Sequence, residues 1–444
     1  MHVGAEADHC MKKRMPKTRL AAFLISIVVV LNVCARAENP AVRGHWVSAW
    51  SAAMHAPLPF PGLPPSPVFE NQTVRMVVRP TIGGERVRIR LSNAFGTTPL
   101  KIGAAHIALS SQDTKIISES DHALTFGGAA SVIIPPGAPV LSDAIDLKVS
   151  RFTEIAVSLF LPEKTSSSTV HFWGQHKTYI SETGDFSGKA EMPNATTNAS
   201  WYWLADVELW ASDQTAATVT LGDSITDGVG APQGDYTDWP DLLAKRLAAD
   251  QGAPSLAVVN EGIGGNRILR DGAGVNTLAR LDRDVLAQPG IVNLIVLEGI
   301  NDIGWPHLKP KLPNGTTMKE SPFAGELVTN QDLIMGLQQI IERAHQHGIK
   351  VFGATLTPYE GADYYSDDGE ATRQAVNHWI RTSGAFDGVF DFDAAVRDPN
   401  HSSQFREGYH SGDHLHPSAT GYKAMADAVD LTMLRSAVSS GTKK

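Results

Sequence analysis

The feature that most constrains this chain is a change of texture near residue 217. Before it, short apolar runs alternate with turn residues. Arg86-Val87-Arg88-Ile89-Arg90-Leu91-Ser92 repeats charged and apolar residues with period two, and Thr81-Ile82-Gly83-Gly84 ahead of it is a turn signal. Thr73–Arg79, Ser131–Ile134, Ile155–Leu161 and Trp201–Leu209 read as further strands, with Pro135-Pro136-Gly137 closing the second. Residues 180–200 are polar and read as one long loop. After residue 217, apolar β runs at 217–221, 256–260, 292–298, 350–356 and 388–392 alternate with helical patterns at 239–250, 331–347, 370–383 and 417–435. The first texture predicts an all-β sandwich of jelly-roll type. The second predicts an α/β domain built on a parallel sheet covered on both faces. At 444 residues the chain exceeds one ordinary core, so the boundary is placed between residues 213 and 214.

Residues 1–37 read as a cleavable leader. Lys12, Lys13, Arg14, Lys17 and Arg19 precede an apolar run from Leu20 to Val33, and Ala35-Arg36-Ala37 offers a cleavage site. The run is short for a membrane span. The mature chain, residues 38–213 and 214–444, is therefore expected to be secreted or periplasmic, without stable membrane insertion. Cys34 in a lipobox-like Leu31–Cys34 stretch leaves lipid anchoring as the alternative. Cys10 and Cys34 are the only cysteines, so a thiol nucleophile and a cysteine-based zinc site are excluded from the mature chain. Without the six basic and two acidic residues of the leader, the net charge moves from −9 to −13. No basic run suited to a phosphate backbone is present, and nucleic acid is not an expected partner.

Four polar clusters sit where β runs end or the last helix begins: Gly222-Asp223-Ser224, Asn260–Asn266, Glu298–Asp302 and Asp413–Pro417. In an open α/β sheet ligands bind beyond the carboxyl ends of the strands, where all four can converge. Acyl transfer needs a nucleophile, a base, an orienter of that base and donors for an oxyanion. Ser224 is the candidate nucleophile. His416 is the candidate base, because imidazole titrates near neutral pH. Asp413, three residues earlier on a turn, can reach its ring. The oxyanion donors are the backbone N–H groups of Ser224 and Gly265 and the side-chain amide of Asn301. His410 and His414 are rival histidines, and Asp302 reads as a loop-fixing acceptor. Trp305 and Tyr359 are candidate substrate contacts, with Tyr364 and Tyr365 close by in sequence. Gly262–Gly265 lacks the spacing of a nucleotide loop, so no cofactor and no metal are expected.

These blocks resemble those of the SGNH (GDSL) hydrolases over roughly residues 217–435. The resemblance implies a flavodoxin-like three-layer α/β/α domain and metal-free ester hydrolysis, with Ser224, Gly265, Asn301 and His416 in the four named roles and Asp413 completing a triad. Trp46 to Trp50, Arg88–Asn93, Gly262–Arg267 and Leu297–Ile303 are also similar to exported two-domain members, some associated with xylan breakdown. The expected activity is hydrolysis of short acyl esters, acetyl on polysaccharide. Two alternatives stand beside it. One is a lipase or arylesterase acting on lipid or small aromatic esters. The other is a carbohydrate-binding protein with an inactive hydrolase domain.

Overall fold

The alternation in Gly84–Ser92 decides the first layers. Val87, Ile89 and Leu91 are fully buried, while Arg86, Arg88 and Arg90 point to the other face. A computed structural model describes residues 44–58, 65–250, 255–310 and 315–441; the expected leader lies outside them. Gly84–Ser92 pairs with Leu204–Ser212, Pro139–Leu141 and Ile145–Val149, and Gly44–Ser51 completes that antiparallel sheet. A second antiparallel sheet runs Thr196–Asn198, Thr178–Thr183, Gln72–Val78, Ile155–Leu161, Ala104–Gln112 and Lys115–Ile116, with His122–Ala123 paired to Ala104–Gln112. Apolar side chains of both sheets share one core that includes Val74, Met76, Ile89, Val157 and Leu209.

Two expectations here need correction. The run 201–209 is not one strand. Trp203 takes φ +58° and splits it into Trp201–Tyr202 and Leu204–Ser212, which buries the indole beside Phe69 at 5.7 Å. Residues 180–200 are not all loop, because Thr178–Thr183 and Thr196–Asn198 pair as strands at either end.

The second region is an α/β fold. Among the described residues its five strands are parallel and lie in the order Leu256–Gly262, Ala216–Gly222, Ile291–Leu297, Lys350–Ala354, Gly388–Phe390. Numbered along the chain this is 2-1-3-4-5, with the order reversing beside the first strand, the place where such sheets bind ligands. Helices Trp239–Ala249, Asn330–Gln346 and Leu431–Gly441 pack on the sheet, and Asp367–Thr382 and Ala419–Asp427 pack on other helices. Their starts are fixed by side-chain caps: Asp238, Thr329 with Asp332, Ser366 and Ser418. The pattern 417–435 predicted one helix, yet the chain forms two, because the carbonyls of Ala426 and Val429 are drawn to the guanidinium of Arg246. Asp430 then caps the next helix by accepting from the Thr432 N–H at 2.8 Å.

The two regions are packed together. Thr81 Oγ accepts the N–H of Val258 on the edge strand of the parallel sheet, Ser48 N–H donates to Pro289, and Arg90 reaches Gln288. Ala217 and Ala257 of the parallel sheet join the apolar core of the β region. Among the described residues no helix is long and apolar enough to cross a membrane.

Candidate active site

Ser224 opens a one-turn helix, Ser224–Asp227, directly after the strand Ala216–Gly222. Asp223 caps that turn, its Oδ1 accepting the Ile225 N–H at 2.9 Å. Burial pushes the Asp223 carboxyl up to about 7. Ser224 lies 192 positions from His416, yet its Oγ is 2.8 Å from His416 Nε2. His416 Nδ1 lies 2.5 Å from Asp413 Oδ2. A carboxylate only accepts, so Nδ1 carries the proton, and Nε2 is left to accept the hydroxyl of Ser224. Asp413 Oδ1 also accepts the N–H groups of His416, at 2.9 Å, and Leu415, at 3.0 Å. Burial acts to raise the Asp413 carboxyl, but the hydrogen bonds and charge of His416 outweigh it and hold the group below the ordinary range. The rival histidines stack on each other at 4.2 Å, and His414 is exposed. His410 Nδ1 accepts the N–H of His414.

The expected donors gather at the same place. Ser224, Gly265, Asn301 and His416 line one cavity of about 330 Å³. Gly265 stands at φ +79°, and a Cβ there would press on Ala273 and Trp305 at 3.0 Å, so glycine alone fits without movement. Asn301 is oriented from both ends: Tyr364 Oη–H donates to its Oδ1 at 3.2 Å, and its Nδ2 donates to Asn266 O at 3.0 Å. The second Nδ2 proton remains available. Among the described residues the backbone N–H groups of Ser224 and Gly265 make no hydrogen bond. Asp302 does fix its loop, accepting from Ile268 at 2.7 Å and Leu269 at 3.1 Å.

Trp305 and Tyr359 are corrections. Neither lines the cavity. Trp305 is buried behind Gly265, with the Arg267 guanidinium 4.7 Å over its ring and Phe323 at 4.8 Å. Tyr359 is fully buried against Tyr364 and Tyr365. Among the described residues Tyr364 and Trp173 are the tyrosine and tryptophan that line the cavity.

Three supporting residues had no sequence signal. Arg280, fully buried, donates to Gly222 O at 3.0 Å, Glu261 O at 2.8 Å and Asn266 Oδ1 at 2.8 Å, and lies 3.8 Å from Glu298. It ties together the ends of the first three strands and the loop bearing Gly265. Asp227, three residues after Ser224, accepts the Gly264 N–H at 3.0 Å. Its other oxygen lies 3.0 Å from Nε2 of His171, a residue of the β region. His171 Nδ1 faces the carbonyl of Ala53 at 2.9 Å, so both ring nitrogens meet acceptors and the ring is an imidazolium. Burial opposes that charge, but Asp227 outweighs it and raises the His171 pKa above its ordinary value. His55, next to it, accepts the Phe172 N–H on Nε2 and is held neutral, its pKa pushed down to about 3 by burial.

The likeness to known proteins falls on this same segment. Residues 220–424 match the GDSL-like lipase/acylhydrolase family. No curated protein matches the chain. Similar solved structures include a G-D-S-L family lipolytic protein from Desulfitobacterium hafniense DCB-2, at 22% identity and TM-score 0.35, covering 48% of this chain and 97% of that one. An acetyl xylan esterase from Geobacillus stearothermophilus is 21% identical at TM-score 0.36, covering 48% and 92%. An acylhydrolase from Bacteroides fragilis NCTC 9343, described as putative, is 17% identical at TM-score 0.34, covering 51% and 88%. Residues 220–424 form a domain of the GDSL-like lipase/acylhydrolase family, and the chain is a carboxylic ester hydrolase.

Proposed function

We propose that the protein is an exported serine esterase that removes short acyl groups, acetyl above all, from polysaccharide through a Ser224–His416–Asp413 triad. One observation supports this most: the hydrogen-bonded run from Ser224 Oγ through His416 to Asp413 opens onto the cavity that Gly265 and Asn301 share. Ser224 Oγ attacks the ester carbonyl carbon while its proton passes to His416 Nε2. Asp413 holds the tautomer and stabilises the imidazolium. The carbonyl oxygen, now negative, is received by the N–H groups of Ser224 and Gly265 and by Asn301 Nδ2. Collapse expels the alcohol, which takes the proton from His416 and leaves an acyl-Ser224. Water then attacks the acyl carbon as His416 takes its proton; the bond from that carbon to Ser224 Oγ breaks, Oγ takes the proton back from His416, and the carboxylic acid leaves.

A cavity of about 330 Å³ sits at the low end of small-ligand pockets and suits an acetyl group with part of its alcohol better than a long chain. Export rests on the leader-like residues 1–37. The β region is read as a sandwich, because its two antiparallel sheets share one apolar core. Acetate release from acetylated xylan, compared with hydrolysis of acetyl and long-chain aryl esters, tests the proposal. A preference for long chains would favour the lipase alternative. Failure of a serine-directed phosphonate to label Ser224 would favour the inactive carbohydrate-binding alternative.

A further inference from the structure

The cavity over Ser224 is not made by the α/β region alone. Trp173 and Gln175 line it, and both come from the β region, just after the short strand Val170–His171. Their backbone is unusual. Trp173 stands at φ +63° and Gln175 at φ +56°, a region that bulky side chains rarely adopt. The segment is pinned on every side. Phe172 N–H donates to His55 Nε2 at 3.0 Å, Gly174 N–H to Ala199 O at 2.6 Å, and Gln175 O accepts the Gly234 N–H at 3.0 Å. Such over-determined strain is typical of residues held for use. The indole is 42% exposed, against 6% for Tyr364, so Trp173 stands at the mouth and Tyr364 at the floor. One face of the ring approaches Gly264, next to the oxyanion loop. Among the described residues the Gln175 side-chain amide makes no hydrogen bond.

We infer that Trp173 and Gln175 form the subsite for the alcohol part of the substrate, and that this part is a sugar ring. The inference rests on the polysaccharide esterase reading above and names which residues would select the sugar. The acyl carbon must lie at Ser224 Oγ with its oxygen toward Gly265 and Asn301. The small acyl group then takes the closed floor, and the alcohol, which continues into a polymer, takes the open mouth. A flat exposed indole offers a surface for the C–H face of a pyranose, and a primary amide beside it can both donate to and accept from ring hydroxyls. An aliphatic lipid alcohol would leave that amide without a partner.

The test compares the full-length enzyme with its Trp173→Ala, Trp173→Phe and Gln175→Ala variants on acetylated xylo-oligosaccharides and on ethyl acetate. Alanine keeps the side-chain penalty at positive φ, so the change reports on the ring. Trp173→Ala should lower the ratio of kcat/KM for the sugar ester over ethyl acetate by about tenfold, mainly through KM, and Trp173→Phe should recover part of it. Gln175→Ala should lower the same ratio by about threefold. If wild type cleaves the sugar ester but none of the variants changes the ratio, the subsite is refuted and the esterase reading stands. A wild-type enzyme that cleaves ethyl acetate and releases nothing from the sugar ester overturns both. A Trp173→Ala chain that fails to fold leaves Trp173→Phe and Gln175→Ala to decide by the same ratio.

Discussion

The two regions contribute to one cavity in opposite ways. The α/β region presents Ser224, Gly265, Asn301 and His416 from strand ends and one helix entrance, positions fixed by the parallel sheet itself. Among the described residues the β region reaches the cavity through Trp173 and Gln175, on a segment held by its neighbours rather than by a regular element. On the proposed reading, residues placed by topology carry the chemistry. Residues placed by packing shape what surrounds it, and their positions depend on both regions being folded together.

Removing the chemistry should have the largest effect. Ser224→Ala should cut turnover by on the order of 10⁴-fold or more while thermal unfolding stays within a few degrees of wild type. A variant with ordinary turnover would place the nucleophile elsewhere. Asn301→Ala should lower kcat by on the order of 10²–10³, with KM for a small acetate ester little changed. An effect confined to KM would mean that the amide binds the ground state instead.

The link between the regions should act mainly on stability. His171→Ala leaves the Asp227 carboxylate buried without its cation, a loss of about 3–5 kcal/mol by the usual behaviour of such pairs. Denaturant unfolding measures it. Because the folded pKa of His171 is raised, the stability it adds is complete below the unfolded pKa of about 6.5 and fades as pH rises through the folded value. Wild type should lose this increment on the alkaline side, and His171→Ala should show a flatter profile there. Equal slopes would break the assignment. The smallest effect is expected from Tyr364→Phe, which removes one hydrogen bond to Asn301 and should lower kcat about fivefold. No change would mean that Asn266 alone orients the amide.

Much of the α/β region was legible because its signals are local. Apolar β runs followed by short polar clusters mark strand ends, and Asp413 and His416 lie three positions apart on one turn. The clustering of Ser224, Gly265 and Asn301 on one cavity was legible for the same reason. The arginine alternation in residues 86–92 revealed one strand and its buried face. The failures involve distant partners. Arg280 sits in an unremarkable helical stretch, and its role follows from acceptors at Gly222, Glu261 and Asn266, in two distant segments. His171 looks like any strand histidine until Asp227 is placed beside it. Trp305 and Tyr359 were chosen for closeness to a strand end, but aromatic rings there also fill space behind loops, and these two do. The positive φ of Trp203 and Trp173 belongs to residues that ordinarily avoid it, so no propensity argument would have found either.

Ala217 and Ala257, two methyl groups on neighbouring parallel strands, lie in the same oily interior as the antiparallel sheets. Heat should therefore melt both halves in a single calorimetric peak. An attempt to clip the chain near residue 213 would expose a greasy seam, and the hydrolase half alone should clump rather than stay in solution.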